Sequence, residues 1–345
     1  SAASDVYKRQ LYNGSKRLKT IQQEKLNNQV AELDVATSEN SIQESIAQIY
    51  IQILYAAESV RVNENTLQVS IAQRDRGQEL LNAGSIAKSD FAQLEAQVST
   101  DRYQLVTAQA TLQDYKLQLK QLLELDGENE MNIYLPALSD ENVLSPLPAK
   151  RDVYVSALAL RPEIEASKLN VNASELGIDI AKSGYLPTVS LSAGIGTNHT
   201  SGSDFTFGEQ VKNGWNNSIG LSVSVPIFNN RQTKSAVQKA KLQYETSMLS
   251  LLDEQKALYK TIEGLWLDAN SAQQRYAAAN EKLKSTQISY NLISEQFNLG
   301  MKNTVELLTE KNNLLQAQQE QLQAKYMAIL NTQLLKFYQG DKLAL

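Results

Sequence analysis

The chain has 345 residues, a formal net charge of −5 and a pI near 5.2, with 42% hydrophobic residues but only 6 Pro and 15 Gly. The acidic balance argues against nucleic acid as a partner, and with no cysteine and a single histidine, His199, neither a disulfide, a thiolate metal site nor a multi-histidine centre can form within one chain. No run reaches the ~18 apolar residues of a membrane-spanning helix, and the abundance of Gln, Leu, Ala and Lys suits long helices and coiled coil.

Residues 1–10, SAASDVYKRQ, match the in-frame translation of a transposase adapter used in sequencing libraries. They are read as a non-native tail, with native sequence starting at Leu11 and an earlier portion, including a signal peptide, expected upstream. From Asn13 to Leu81 there is no proline and almost no glycine. Ile42, Ile46, Ile49, Ile53, Ala56 and Val60 step alternately by four and three, a heptad-like seam. A helix of that length would run for roughly 100 Å and needs a partner of similar length. Asn82-Ala83-Gly84-Ser85 breaks the pattern, with Gly84 as a C-cap signal and Ser85 or Ser89 as candidate N-caps of the next helix. That helix continues to about Leu125 on a stripe of Phe91, Leu94, Val98, Leu105, Ala108, Leu112 and Tyr115. Residues 11–126 therefore read as a long antiparallel helical hairpin with its tip at Gly84.

Residues 127–187 begin as a loop-rich connector with prolines at 136, 146 and 148. Glu124, Asp126, Glu128 and Glu130 cluster around its start and read as a solvated acidic loop rather than a metal site. Arg151–Ser183 reads as helix, with Pro162 at a position suited to a helix N1. Pro187 then opens a strand hairpin over residues 188–228. Val189, Leu191, Ala193 and Ile195 alternate with small residues, and after a polar loop Ile219, Leu221, Val223, Val225 and Ile227 do the same. Strands of about 10 residues with one apolar face and one Ser/Gly face suit a transmembrane β-barrel. A half-buried soluble hairpin packed on a helix would give the same alternation. Residues 229–338 read as a second helical hairpin with its tip at Gly300, followed by a tail at 339–345.

The two helical hairpins are copies of one another. An offset of 216 pairs Leu26 with Leu242, Ile46 with Ile262, Tyr50 with Trp266, Gly84 with Gly300 and Leu119 with Leu335, without a gap. The same offset places the first copy's strand hairpin upstream of residue 11, with Tyr12 as its last trace. The strands of this chain are accordingly expected to form a two-stranded stub with an exposed apolar face.

Three segments carry a family resemblance: LRPEIEASKLNVNASELGIDIAKSGYLPTVSLSAG, VPIFNNRQTKSAVQKAKLQYE and QFNLGMKNTVELLTEKNNLLQAQ. In motif, order and duplication, residues 11 to about 340 resemble the TolC-like outer-membrane efflux proteins. The resemblance implies a mainly α fold in two tandem repeats with a transmembrane β-hairpin, assembled as a homotrimer. Each protomer would give four strands to a twelve-stranded barrel in outer-membrane lipid, and the helices would form a hollow α-barrel across the periplasm. It implies a passive duct of a tripartite efflux or type I secretion system, not an enzyme, with no cofactor. Its partners would be a periplasmic adaptor and an inner-membrane pump of RND, ABC or MFS type, with the cargo unspecified. The alternative is a trimeric coiled-coil periplasmic scaffold without a pore.

The resemblance also assigns sites. Ser89 and Asp90 match the family's gate contacts. Lys302 and Glu306 match the basic and first acidic position after the second tip, where Glu306 would form an acidic ring in the trimer. Thr309 departs from the family's second acid, which weakens that ring. An Asp90–Lys302 ion pair between hairpins is expected to hold the gate. Gly84, Ser85, Gly300 and Met301 are expected to contact the adaptor. Asp90 and Glu306, each in a first helical turn, could equally serve only to compensate the helix dipole.

Overall fold

The computed structural model describes residues 2–125, 133, 134, 136, 143–202 and 204–343. In chain order the elements are β1 (Ala2–Asn13), α1 (Lys16–Asn82), α2 (Lys88–Leu122), α3 (Lys150–Leu160), α4 (Pro162–Lys182), β2 (Thr188–Asn198), α5 (Phe207–Asn213), β3 (Asn216–Ser224), α6 (Gln232–Asn298) and α7 (Thr304–Gln339). Asp126, Glu128 and Glu130 of the acidic loop lie outside the described residues. The chain divides into two units, residues 1–37 with 162–256 and residues 38–161 with 257–345.

The repeat is realised in the backbone. Helices α1 and α6 are both 67 residues long and both begin and end 216 positions apart. Each is entered through two left-handed residues, Gly14 and Ser15 in the first copy and Asn230 and Arg231 in the second. Ahead of each stands an asparagine whose side chain meets the residue four positions on. Asn13 Oδ1 accepts from the Arg17 N–H at 3.2 Å, and Asn229 bonds the Thr233 hydroxyl. Duplication thus extends to how the chain turns into the helix, and not only to the leucine pattern.

The first unit contains the sheet, in the order β1-β2-β3. Both pairings are antiparallel, with Ala193 opposite Tyr7 on one side and Ile219 on the other. The expected two-stranded stub is therefore corrected to three strands. Backbone pairing explains this: the open edge of β2 offers N–H and C=O groups to any proline-free segment, and residues 2–13 contain no proline. From Asp5 on, their side chains follow the sheet's pattern only in part, as with Tyr7 opposite Ala193 and Lys8 opposite Ser192. Residues directly opposite share a face, so Asp5 and Arg9 fall on the apolar face beside Ile195 and Leu191. A register shift between Gln10 and Tyr12 then returns apolar Tyr12 to apolar Val189.

On β2 and β3 the alternation stands as far as Ser224, where β3 ends, so Val225 and Ile227, read as strand residues, lie beyond it. Leu191, Ile195, Ile219, Leu221 and Val223 are all exposed, with Ile219 at 84%, whereas Ser190 on the opposite face is buried. The polar loop between the strands holds the short helix α5, capped by Thr206, which exchanges hydrogen bonds with Glu209. In the same unit α4 bridges the flanking helices. Gln23 donates to the Ala173 carbonyl at 2.8 Å, Lys19 meets Asp179 at 3.2 Å, and the Ser174 and Ser247 hydroxyls lie 2.7 Å apart.

The helix expected over Arg151–Ser183 is divided. Arg161 is extended (ψ 123°), and Pro162 opens α4. Proline disfavours helical geometry in the residue before it, which ends α3, while its own fixed φ suits the first helical turn.

In the second unit the core is built by α1, α6 and α7. Ala47, Ile51 and Leu54 pack with Ala272 and Tyr276 and with Ala324, Tyr326, Ile329 and Leu334. The described part of the connector is strapped to α6. Trp266 donates to the Pro148 carbonyl at 3.0 Å, and Gln273 to the carbonyls of Val143 and Ser145 at 2.9 and 2.8 Å. Lys150 pairs with Glu263 at 2.9 Å and sits 4.6 Å above the Trp266 ring. Arg161, hydrogen-bonded to Glu44 at 2.9 Å, lies 4.1 Å over Tyr338 and ties α1 to the end of α7.

The second-copy seam is buried at Leu258, Ile262, Ala269, Ala272 and Tyr276. Of the first-copy seam only Ile53 and Ala56 are buried, Ile46, Ile49 and Val60 are half-buried, and Ile42 is 47% exposed. It then continues through Asn63, Leu67, Ser70, Gln73 and Gly77. Polar residues thus occupy buried seam positions that an apolar count passes over.

Candidate functional site

The tips of the two hairpins carry the sequence-predicted gate and docking residues. Each long helix ends in the same motif. Gly84 and Gly300 are left-handed at φ +70° and +73°. The Ser85 N–H reaches back to the Leu80 carbonyl at 2.8 Å, and the Met301 N–H to that of Gln296, also at 2.8 Å. This is a Schellman-type closure. A Cβ at either glycine would meet open space, so only the backbone conformation resists one. Gly84→Ala and Gly300→Ala are each expected to cost roughly 1–2 kcal/mol, read as a lowered urea midpoint.

The descending helices start differently from the sequence expectation. The residue before α2 is Ala87 in extended conformation, so neither Ser85 nor Ser89 is the N-cap. Ser89 lies inside the first turn. Asp90 instead accepts the Ala87 N–H at 3.3 Å, so the acid three residues on secures the start in place of a cap side chain. The second copy has the full reciprocal pair. The Glu306 N–H donates to Asn303 Oδ1 at 2.9 Å, and the Asn303 N–H to Glu306 Oε2 at 3.3 Å.

Within the chain Lys302 meets Glu306 at 2.6 Å rather than Asp90. The hydrogen bond from Lys302, then that from the Asn303 backbone, holds the Glu306 carboxyl below the usual glutamate range. Thr309 donates to the Val305 carbonyl at 2.8 Å and is exposed. Met301, Leu299 and Val305 present exposed apolar surface at the second tip, whereas Gly84 and Ser85 leave the first tip small and polar.

Behind the tips the hairpins interlock. Leu94, Phe297 and Leu307 form a buried cluster flanked by Leu80, Tyr290, Ile293 and Leu308. Arg76 pairs with Glu79 at 2.6 Å and donates to the Asn298 carbonyl at 3.3 Å, which places a cation at the C-terminal end of α6. Gln73 donates to the Tyr290 hydroxyl at 2.8 Å.

Further along, Lys311 of α7 enters the seam between α1 and α2, where its ammonium binds Asp101 and the Ser70 hydroxyl. Ser70 also bonds Asp101, and Gln97 donates to the other Asp101 oxygen at 2.9 Å. Burial pulls the Lys311 ammonium below the usual lysine range, against the hydrogen bond and charge of Asp101. Sequence reading missed this group. The available signal was a charged residue at the seam position after Val98, where the repeat partner, Ala317, is apolar.

Known proteins supply the context. The profile of the family described as "Outer membrane efflux protein" matches residues 153–340. The chain is 24% identical over 294 residues to the outer membrane efflux protein BepC of Brucella suis, covering 85% of this chain and 61% of that protein. It is 24% identical over 315 residues to the outer membrane protein TolC of Escherichia coli, covering 88% of this chain and 62% of that protein. It thus spans just over three-fifths of the length of these relatives. A crystal structure of CusC superposes with a TM-score of 0.83 at 18% identity, covering 99% of this chain and 78% of that one. With its tandem helical hairpins, its alternating strands and a family match across more than half its length, this chain belongs to the outer membrane efflux protein family.

Proposed function

We propose that the protein is the outer-membrane channel of a tripartite efflux or type I secretion system, a passive duct assembled as a homotrimer. The observation that carries this reading is the face of β2 and β3 that exposes Leu191, Ile195, Ile219, Leu221 and Val223 opposite a row of Ser and Gly. Such a face suits lipid outside and water inside, and a scaffold without a pore has no use for it. The free edge of a three-stranded sheet is removed by closure with further strands. The family match and the efflux designation of the Brucella relative support the same reading.

In this reading the tips form the periplasmic gate. Asp90 of one hairpin and Lys302 of a neighbour close it, and Glu306 ring carboxylates attract cations. Lys302 held by its own Glu306 would be the released state of that contact. Exposed pairs contribute only about 0–1 kcal/mol each, so the closed state needs several in concert. The adaptor would meet Gly84, Ser85, Gly300 and Met301, with the exposed Leu299 and Val305 giving the second tip apolar grip. The energy and the choice of cargo would come from an inner-membrane pump.

The test is single-channel conductance of the reconstituted full-length protein. Asp90→Asn and Lys302→Gln are each expected to raise it, and unchanged conductance in both would end the gate assignment. The low pKa of Glu306 sets the sign with pH. Where Lys302 and the Asn303 backbone hold it, its charge persists below the ordinary glutamate pKa of ~4.3 and is lost only as pH falls through the lower folded value. Cation preference should therefore fade in acid, and less so in Glu306→Gln.

A further inference from the structure

The two hairpins share one backbone plan, so the course of the backbone alone does not dictate which kind of hairpin a given hairpin packs against. We infer that the buried Asp101–Lys311–Ser70 group decides this. It makes a first-repeat hairpin accept a second-repeat hairpin and reject another first-repeat hairpin from a neighbouring chain. This choice of partner between hairpins is independent of whether the assembly forms a pore.

The repeat itself shows why. In the contact present, α7 lays Lys311 against Asp101 and Ser70, and Asp101 and Lys311 are only 2% and 3% exposed. If α2 of a second chain took the place of α7, the residue 216 positions before Lys311 would face Asp101. That residue is Glu95. Two carboxylates would then meet in a dry seam, which is strongly disfavoured. If a second-repeat hairpin instead accepted α7 of another chain, Lys311 would face the counterparts of Asp101 and Ser70. Those are Ala317 and Thr286, which leave the ammonium without an acid. Both like-with-like pairings fail on charge, while the unlike pairing gives Asp101, Lys311 and Ser70 their partners. A polar residue at a seam position setting partner choice at some expense of stability is a recognised use of such groups.

The absence of cysteine from the chain makes disulfide trapping clean. Leu94 and Leu307 share a buried cluster, so Leu94→Cys with Leu307→Cys in one chain reports the native pairing. The residue 216 positions before Leu307 is Phe91. Two differently tagged full chains, one carrying Leu94→Cys and the other Phe91→Cys, therefore report like-with-like pairing when co-expressed. In the parent only the intrachain link is expected. Asp101→Lys should reverse the preference, because the introduced ammonium repels Lys311 and attracts Glu95, so the interchain link rises from background to the major species. Adding Glu95→Lys should abolish that link. Asp101→Lys with the parent's intrachain link and no interchain link would overturn the inference. Should that variant fail to fold, Asp101→Ala with Lys311→Leu removes both charges. With Glu95→Leu added, so that no charge is left in either pairing, interchain linkage is expected above background, and its absence overturns the inference as surely.

Discussion

Lys311→Ala is expected to destabilise the helical unit by about 3–5 kcal/mol, the largest effect of any charged side chain among the described residues. The lysine itself contributes little net stability, because desolvating an ammonium and a carboxylate offsets most of their attraction. The loss comes from what stays behind. Asp101 would remain in the seam facing Ser70 and Gln97, with its cation gone and little access to water. Asp101→Ala should cost a similar amount by stranding the ammonium instead. Removing both charges with Asp101→Ala and Lys311→Leu should recover most of the loss, since an apolar pair of similar volume is often neutral or better. Urea unfolding of the two single variants and the double variant forms a cycle that checks this. Single losses below ~1 kcal/mol would mean that water reaches the pair and that it behaves like a surface bridge.

Much of the architecture was legible in the sequence because it was written twice. A chance run of leucines can mimic a heptad. It cannot also place a glycine at 84 and 300 and an asparagine at 13 and 229 ahead of helices of equal length. The helix ends follow from those residues. The apolar face of β2 and β3 was equally plain, because strand alternation is a local signal. What failed to show was whatever depended on a partner elsewhere in the chain. The buried stretch of α1 beyond Ile53 contains Asn63, Ser70 and Gln73, which periodicity of apolar residues does not count. Asp101 and Lys311 look like ordinary surface charges until α2 and α7 meet. The third strand was missed because a sheet edge selects backbone and not side chains, so Asp5 and Arg9 could pair in spite of their chemistry. The cap of α2 was misplaced because Ser85 and Ser89 carry the right side chains, whereas Asp90 does the bonding from inside the turn. Of the residues proposed for a gate, the turns at Gly84 and Gly300 and the first-turn positions of Asp90 and Glu306 were legible, but not that Lys302 would meet Glu306 within its own hairpin.

Phe297→Ala is expected to cost about 3–5 kcal/mol and to loosen both tips together. The ring is 2% exposed and packs against Leu94 from the first repeat and Leu307 from the second, so one side chain fills the space between the two hairpins just behind their turns. Truncation removes the transfer free energy of the ring and leaves a cavity that helices of this regularity close poorly, because each is fixed along its length by other contacts. The loss should be concentrated locally. Arg76 reaches the Asn298 carbonyl next door, and Gln73 reaches Tyr290 beside the same cluster. Hydrogen exchange at the amides of residues 78–90 and 294–306 should therefore accelerate, while those around Ala47, Ile51 and Tyr276 stay protected by a separate core. Phe297→Leu keeps most of the volume and should retain most of the stability. Were exchange to rise equally along the whole of α6, the tip cluster would not be a local fastening, and the two hairpins would be held together by the continuous seam instead.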